Sequence, residues 1–365
     1  MSFANVSQLA LDKIQEIPWK RWRNIIIPAV VFSLLLILSR SVNNRYIDNK
    51  WSAAIFSHAP TTTSPSYEEP LYPITAHALW NDLLRLLEDA APHTFSKPLV
   101  DVGIVSEPFK SAPNVALMDQ TQMYPQDILK MARAHHVFTS QLPTRLATHL
   151  AQQHAPLIRS VRRGIVMLAG GEYMPTAITS IRMLRRSRSM LPIELWMSSK
   201  EEYEPQLCDE ILPSFDVTCR LLSDVFHNAP IRQSQAIAGF QYKIFAILFS
   251  SFDEVLFLDA DVVAIQNPDG LFDSVPFREK GMITWPDLWA TSVSPIFYLV
   301  TGQTEPPLVG DRASTESGQL MVNKRTHLET LLVASYYNYW ADWYYVLLCQ
   351  ACSCTASTNN GPECC

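Results

Sequence analysis

The feature that most constrains the fold of this 365-residue chain is an alternation of apolar, strand-like runs and amphipathic helices. Gly164 to Ala169 reads GIVMLA, and Met174 to Arg186 follows with apolar residues at helical spacing. Ile193 to Trp196 and Val217 to Leu221 are typical of short strands. Strands that alternate with helices over short connections favour a mainly parallel sheet with both faces covered. The pattern therefore predicts an α/β fold with a Rossmann-like sheet.

An Asp-Ala-Asp sequence follows the next strand of this series. A predicted helix over Ile237 to Phe249 leads into a predicted strand, Val255 to Leu258, and then into Asp259 and Asp261. Two carboxylates one residue apart at a strand end can turn toward one ion or one diphosphate, and their oxygens suit Mg²⁺ or Mn²⁺. A pair of solvated Asp residues in a turn is the commoner interpretation of a bare Asp-x-Asp. The preceding strand and helix favour a metal site.

A glycine pair, Gly170-Gly171, follows the first strand of the series. In open α/β sheets, ligands bind beyond the carboxyl ends of the strands. Gly170 and Asp259 both lie at such ends, so the sequence predicts that they line one crevice. The pair lacks the spacing of the G-x-G-x-x-G and P-loop fingerprints, and an ordinary tight turn is the alternative.

Two later segments carry residues suited to sugars. Gly281 to Trp289 is predicted to be a strand and contains Asp287 between two tryptophans. Aromatic faces and carboxylates together bind sugars, although a structural Trp pair with a capping Asp is an equal alternative. Glu316 and Gln319 flank a glycine just before a predicted strand, Leu320 to Asn323, and a carboxylate and an amide there suit hydroxyl recognition.

The N-terminal part predicts membrane attachment. Ile25 to Ser39 is an uncharged apolar run with basic residues before it, which favours a cytosolic N-terminus and a single-pass, type II anchor. We assign residues 1–24 to a cytosolic tail, 25–42 to the anchor and 43–75 to a stem rich in Thr, Ser and Pro. A cleaved signal peptide, for which no small-x-small cleavage site follows, and a buried helix are the alternatives.

Composition excludes some functions. The net charge is -6 and no basic stripe runs through the body, so nucleic acid is not an expected partner. Residues 76–160 are predicted to be helical, with one amphipathic helix over Pro125 to Ala151. Adjacent His135 and His136 on that helix cannot face one metal. Of seven cysteines, only Cys208 and Cys219 lie in the body, which does not indicate a disulfide framework.

Four ordered blocks of the sequence resemble a known family, the fungal Golgi alpha-mannosyltransferases that extend and branch the outer chains of mannan and N-glycans. They contain the motifs GGEYMPTA, FLDAD, TWPDLW and STESGQ, and they run over 163–196, 240–272, 281–289 and 314–338.

The resemblance implies a GT-A-type fold that uses GDP-mannose and a divalent metal, usually Mn²⁺. Such enzymes transfer mannose to a mannoside with retention, in the Golgi membrane and in some cases within a complex of mannosyltransferases. The wording of the first and last motifs is closer to the alpha-1,2 branch-initiating members than to the alpha-1,3 members. A different donor, such as a UDP-hexose, stays an alternative because no motif identifies the base of the nucleotide.

Roles for individual residues also follow from the resemblance. Asp261 would hold the metal on the diphosphate, and Asp259 would contact ribose or metal. Ala169 and Gly170 would lie against the nucleoside, and Lys243 would lie close to the donor pocket. The catalytic residues Asp287 and Glu316 would bind hydroxyls of the donor or acceptor sugar, with Gln319 beside them.

The end of the chain departs from the family pattern. Residues 161–348 are interpreted as a catalytic domain that is incomplete, and 349–365 as an unrelated, cysteine-rich tail. Cys349, Cys352 and Cys354 suggest zinc, but a second spaced pair is lacking. A shifted reading frame or alternative splicing is the favoured interpretation, and it raises the alternative of a catalytically inactive, sugar-nucleotide-binding form.

Overall fold

The computed structural model describes residues 72–100, 108–111, 116–117, 119, 121–154, 161–226, 237–303, 305–306, 308, 310 and 313–348. They belong to a compact unit that spans residues 69–365. The predicted anchor at 25–42 and the cysteine-rich tail lie outside these ranges. Among the helices that the structure describes, none is both long and apolar enough to cross a membrane.

A six-stranded mixed sheet is the centre of the fold. A short antiparallel pair, β1 (Leu99–Val100) and β2 (Thr121–Gln122), precedes it in the chain. The strands of the sheet are β3 (Arg163–Leu168), β4 (Ile193–Met197), β5 (Val217–Leu221), β6 (Glu254–Asp259), β7 (Met282–Ala290) and β8 (Ala313–Asn323). Their order is β5-β4-β3-β6-β8-β7, with the first four parallel and β8 antiparallel to both of its neighbours. The predicted α/β fold and mainly parallel sheet are confirmed.

Helices cover both faces of this sheet. In chain order they are α1 (Tyr72–Asp89), α2 (Pro125–Arg145), α3 (Ala147–His154), α4 (Met174–Arg186), α5 (Leu222–Phe226), α6 (Tyr242–Phe249), α7 (Val275–Lys280), α8 (Pro295–Val300), α9 (Lys324–Tyr339) and α10 (Ala341–Leu348).

The hydrophobic core consists of two layers that the sheet separates. Successive side chains of a strand point to opposite faces, and β6 shows this clearly. Val255 and Phe257 pack into the layer formed with α1, α2, α6, α9 and α10. Leu256 and Leu258 pack into the layer formed with α4. Burial on both faces explains why the parallel strands read as continuous apolar runs rather than as alternating ones.

Three predicted boundaries are wrong, and each has a local cause. The helix expected from Ile237 begins at Tyr242, because Gly239 has a φ of 54°, outside the range of an α-helix. The helix expected from Pro125 to Ala151 is two helices, because the backbone of Leu146, with φ of -109° and ψ of 18°, leaves the helical conformation between them. Strand β8 begins at Ala313, since β7 pairs with it as far as that residue.

Cys208 and Cys219 form a disulfide that the sequence did not predict. Cys208 is buried in the helical turn Gln206–Ile211, and Cys219 lies on the edge strand β5. The pairing depends on how that turn packs beside β5, which the cysteine spacing does not reveal.

Candidate active site

The topology of the sheet marks one crevice. After β3 the chain builds β4 and β5 outward on one side, and it then returns to place β6 on the other side of β3. In open α/β sheets, ligands bind at the carboxyl ends of the strands where the order reverses in this way. Leu168 pairs with Asp259 across this point, so the residues that follow both strands emerge side by side.

An ion pair lies at this edge. Lys243, in the first turn of α6, donates a hydrogen bond of 2.6 Å from Nζ to Oδ2 of Asp259. The two side chains are 17% and 23% exposed, so water reaches them only in part. Burial raises the pKa of the Asp259 carboxyl; Lys243 opposes this shift, and the charges of Asp261 and Glu316 add to it. The charges of Asp261 and Glu316 therefore both reach the Asp259 carboxylate.

Strand β8 brings Glu316 to the same place. The N–H of Gly318 donates a 2.7 Å hydrogen bond to Oε1 of Glu316. A Cβ on Gly318 would lie 3.1 Å from that oxygen and 3.4 Å from Oδ2 of Asp259. Gly318 is therefore the position over which carboxylates from two neighbouring strands converge. A side chain here would crowd both of them.

The donor set fits a hard divalent cation that is shared with a ligand. Asp261 is exposed just beyond β6, next to the half-buried Asp259. Within the described residues, no group of three or more His, Cys, Asp or Glu side chains is already arranged to hold a metal alone. Mg²⁺ is commonly held by one or two carboxylates together with substrate phosphates, and these residues offer that kind of partial shell.

Asp287 and Gln319 have other neighbours in the described structure. Asp287, on β7, accepts hydrogen bonds from the N–H of Leu288 at 2.6 Å and from Oγ of Ser314 on β8 at 3.2 Å. Gln319 pairs with Leu258, whose side chain faces the α4 layer, whereas the next residue, Asp259, faces α6. Gln319 therefore starts from the opposite face of the sheet. Their roles on sugar hydroxyls stay predictions.

The end of β3 has a neighbour that the sequence analysis missed. Ala169 is buried, and its N–H donates to the carbonyl of Trp196 at 2.9 Å, which extends the β3–β4 pairing. A Cβ on Gly170 would overlap the carboxylate of Glu202, whose Oε2 and Oε1 would lie 2.5 and 2.7 Å away. Glu202 ends a short turn after β4. The carboxyl-end rule already used for Asp259 would have found it.

A family comparison identifies the class of protein. The Mannosyl_trans3 family of mannosyltransferases matches residues 162–310 and 307–360, more than half of the chain. The matched region contains the whole six-stranded sheet and every residue of the candidate site. Its second part reaches into the cysteine-rich segment, which was predicted to lie outside the family pattern. The chain belongs to this mannosyltransferase family.

The curated relatives are fungal. Alpha-1,2-mannosyltransferase MNN24 of Candida albicans is 38% identical over 217 residues, which are 51% of this chain and 30% of that protein. Alpha-1,2-mannosyltransferase MNN23 of Candida albicans is 30% identical over 330 residues, 77% of this chain and 51% of that protein. The chain thus spans about a third to a half of the length of these two relatives.

Solved structures are more distant. The crystal structure of the glycosyltransferase GlyE of Streptococcus pneumoniae is 16% identical, with 48% of this chain and 37% of that chain covered. The TM-score between the two structures is 0.31.

Proposed function

We propose that this protein transfers mannose from GDP-mannose to a mannoside of a mannan or N-glycan outer chain, with retention and through an alpha-1,2 linkage. Membership of the mannosyltransferase family supports this, as do the names of the fungal relatives. The structural observation that carries the proposal is the convergence of Asp259, Lys243 and Glu316 at the reversal point of the sheet. We further propose a GT-A-type catalytic domain.

The chemistry explains the charges at this edge. When the bond between the sugar and GDP breaks, negative charge develops on the β-phosphate, and a bound Mn²⁺ would stabilise that charge. Asp259 and Asp261 are the residues that would hold the ion. Lys243 is placed to donate to a phosphate oxygen as well as to Asp259, because its ammonium carries three hydrogens.

The residues proposed to bind sugar lie on the antiparallel strands β7 and β8. Glu316 lies beside the Asp259 carboxylate, so it is placed to accept hydrogen bonds from hydroxyls of a sugar next to the diphosphate. Asp287 accepts a hydrogen bond from Oγ of Ser314, which fixes the orientation of its carboxylate. We assign both residues to sugar binding.

We also propose that the protein acts in the Golgi membrane as a single-pass, type II protein, with a mannosyltransferase complex as a possible assembly. The apolar run from Ile25 to Ser39 within the anchor at 25–42, together with its basic flank, supports the topology. The Cys208–Cys219 disulfide supports a lumenal catalytic part, because disulfides persist in oxidising compartments and are rare in the cytosol.

The test is an assay of the lumenal protein with GDP-mannose, Mn²⁺ and an alpha-mannoside acceptor, with the linkage of the product determined by NMR. We expect an alpha-1,2 product that EDTA abolishes. Asp261→Asn should reduce transfer at least about 100-fold, as the loss of a group that stabilises developing charge does. Asp224→Asn, at an exposed position on α5, is the matched control and should retain activity.

The outcomes separate the alternatives. Full activity of Asp261→Asn would exclude this carboxylate from the metal site. Binding of GDP with Mn²⁺ but no transfer would favour the inactive, sugar-nucleotide-binding form. If UDP-hexoses compete for the site and GDP-mannose does not, the donor is a UDP-hexose, and the assignment of the site residues stands.

A further inference from the structure

Glu202 lies where a donor nucleotide would enter the crevice, yet no role follows for it from the family motifs. Its carboxylate lies so close to Gly170 that a side chain at position 170 would displace it. The space beside the end of β3 is thus taken by a carboxylate that comes from the loop after β4. The contact joins the ends of two parallel strands.

The carboxylate of Glu202 is held by its own loop. Oε2 accepts hydrogen bonds from the N–H and from Oγ of Ser198, both at 2.8 Å. The N–H of Glu202 donates to the carbonyl of Ser199 at 3.3 Å, which closes the turn. The hydrogen bonds that the described residues give to this carboxylate all go to Oε2. Both oxygens lie close to the Gly170 position, Oε2 slightly closer, and Oε1 accepts no hydrogen bond from the residues that the structure describes.

The neighbouring tyrosine does not neutralise this charge. Tyr242 precedes Lys243 on α6, and its hydroxyl donates to the carbonyl of Ile237 at 2.6 Å. Burial raises the pKa of the Tyr242 hydroxyl, and the negative charge of Glu202 raises it further. The Tyr242 proton is committed to Ile237, so Glu202 keeps its capacity to accept hydrogen bonds.

The distance from the metal site decides which part of a nucleotide would meet Glu202. Its carboxylate lies beside Gly170, two residues beyond the end of β3, and β3 is the strand next to β6, which carries Asp259. Neighbouring strands are about 4.8 Å apart. In a nucleoside diphosphate the ribose is bonded directly to the diphosphate, and the base lies further out. A carboxylate one strand from the diphosphate therefore meets ribose.

We propose that Glu202 is a ribose-binding residue that accepts hydrogen bonds from the 2′- and 3′-hydroxyls of the donor nucleotide. The inference rests on the proposed function, since it assumes a nucleoside diphosphate in the crevice. It assigns Glu202 to the donor site and names the ribose hydroxyls as the groups that Glu202 binds. Ser198 is the positioning residue that orients the carboxylate.

The test measures the affinity of GDP and of 2′,3′-dideoxy-GDP by calorimetry, with Mn²⁺ present, for the wild type and for Glu202→Ala. We expect Glu202→Ala to weaken GDP about 10- to 100-fold, the range for a hydrogen bond to a charged group. The dideoxy nucleotide should bind both proteins equally. Glu201→Ala is the matched control, because Glu201 is exposed in the same turn, and it should bind GDP like the wild type.

Each other outcome overturns something definite. Unchanged GDP affinity in Glu202→Ala, or an equal loss for GDP and the dideoxy nucleotide, overturns the ribose assignment and leaves the proposed function intact. A wild type that binds no GDP overturns the proposed function and this inference together. If Glu202→Ala does not fold, as circular dichroism would show, Glu202→Gln keeps the shape and should give a smaller loss that is confined to GDP.

Discussion

Removing the Cys208–Cys219 disulfide should destabilise the catalytic part by an amount that the loop length sets. The two cysteines are separated by 11 residues, so the bond closes a short loop between the turn after β4 and strand β5. In the chain-entropy model, a closed loop of this size contributes about 3 kcal/mol at 25 °C by restricting the unfolded chain. Removing the buried sulfur of Cys208, which leaves only the methyl group of alanine, adds about 1 kcal/mol at most.

The double variant Cys208→Ala/Cys219→Ala is therefore expected to lose about 3–4 kcal/mol in its free energy of unfolding. Urea denaturation followed by tryptophan fluorescence measures this loss, and the single variant Cys219→Ala should lose most of it. Differential alkylation with mass spectrometry should find both thiols protected in the unreduced wild type. A double variant within about 0.5 kcal/mol of the wild type, the error of such additions, would refute the reasoning, as would ready alkylation of Cys208 without reduction.

Three further predictions concern packing, charge and pH. Gly164→Ala should cost about 1–3 kcal/mol in urea denaturation, because its Cβ would overlap the buried ring of Phe252, and the additional change Phe252→Leu should recover part of the loss. Lys243→Met should lower the free energy of unfolding by about 1–3 kcal/mol at pH 7, because it leaves the Asp259 carboxylate without its cation. This is less than the loss for a fully buried ion pair, since water reaches both side chains in part. Full stability of the single variant would contradict the prediction, and partial rescue by Asp259→Asn would support it. Burial, and secondly the charge of His136, lowers the pKa of His135, so the unfolded state binds more protons there and stability should fall as the pH falls below about 6.5, by up to about 1.4 kcal/mol per pH unit. Comparing urea curves from pH 7 to pH 5 for the wild type and His135→Gln tests this, and equal slopes would contradict it.

The sheet was predictable from the sequence where burial dominates. Strands β3 to β6 were located to within one or two residues, because parallel strands covered on both faces are apolar along their whole length. The start of α6 was not, since it depends on the backbone conformation of one residue, Gly239. The extra length of β8 depends on its pairing with β7, which no local pattern encodes.

The candidate site shows the same division. The carboxyl-end rule correctly placed Gly170 and Asp259 at one edge, because the parallel pairing of β3 and β6 puts them there. The contact between Gly170 and Glu202 required the tertiary path of the loop after β4. The face of Gln319 depends on register: one residue of shift in β8 would exchange it with Gly318.

That register also limits how the length of related chains can vary. Residues 319–323 of β8 pair one to one with residues 254–258 of β6, and this pairing holds Gly318 and Glu316 beside Asp259. A deletion of one residue within 319–323 would turn Glu316 to the α4 face and carry a carboxylate out of the crevice. Insertions and deletions compatible with activity are therefore expected before Ala313 and not inside this pairing. A deletion scan across residues 313–323 would display that boundary directly.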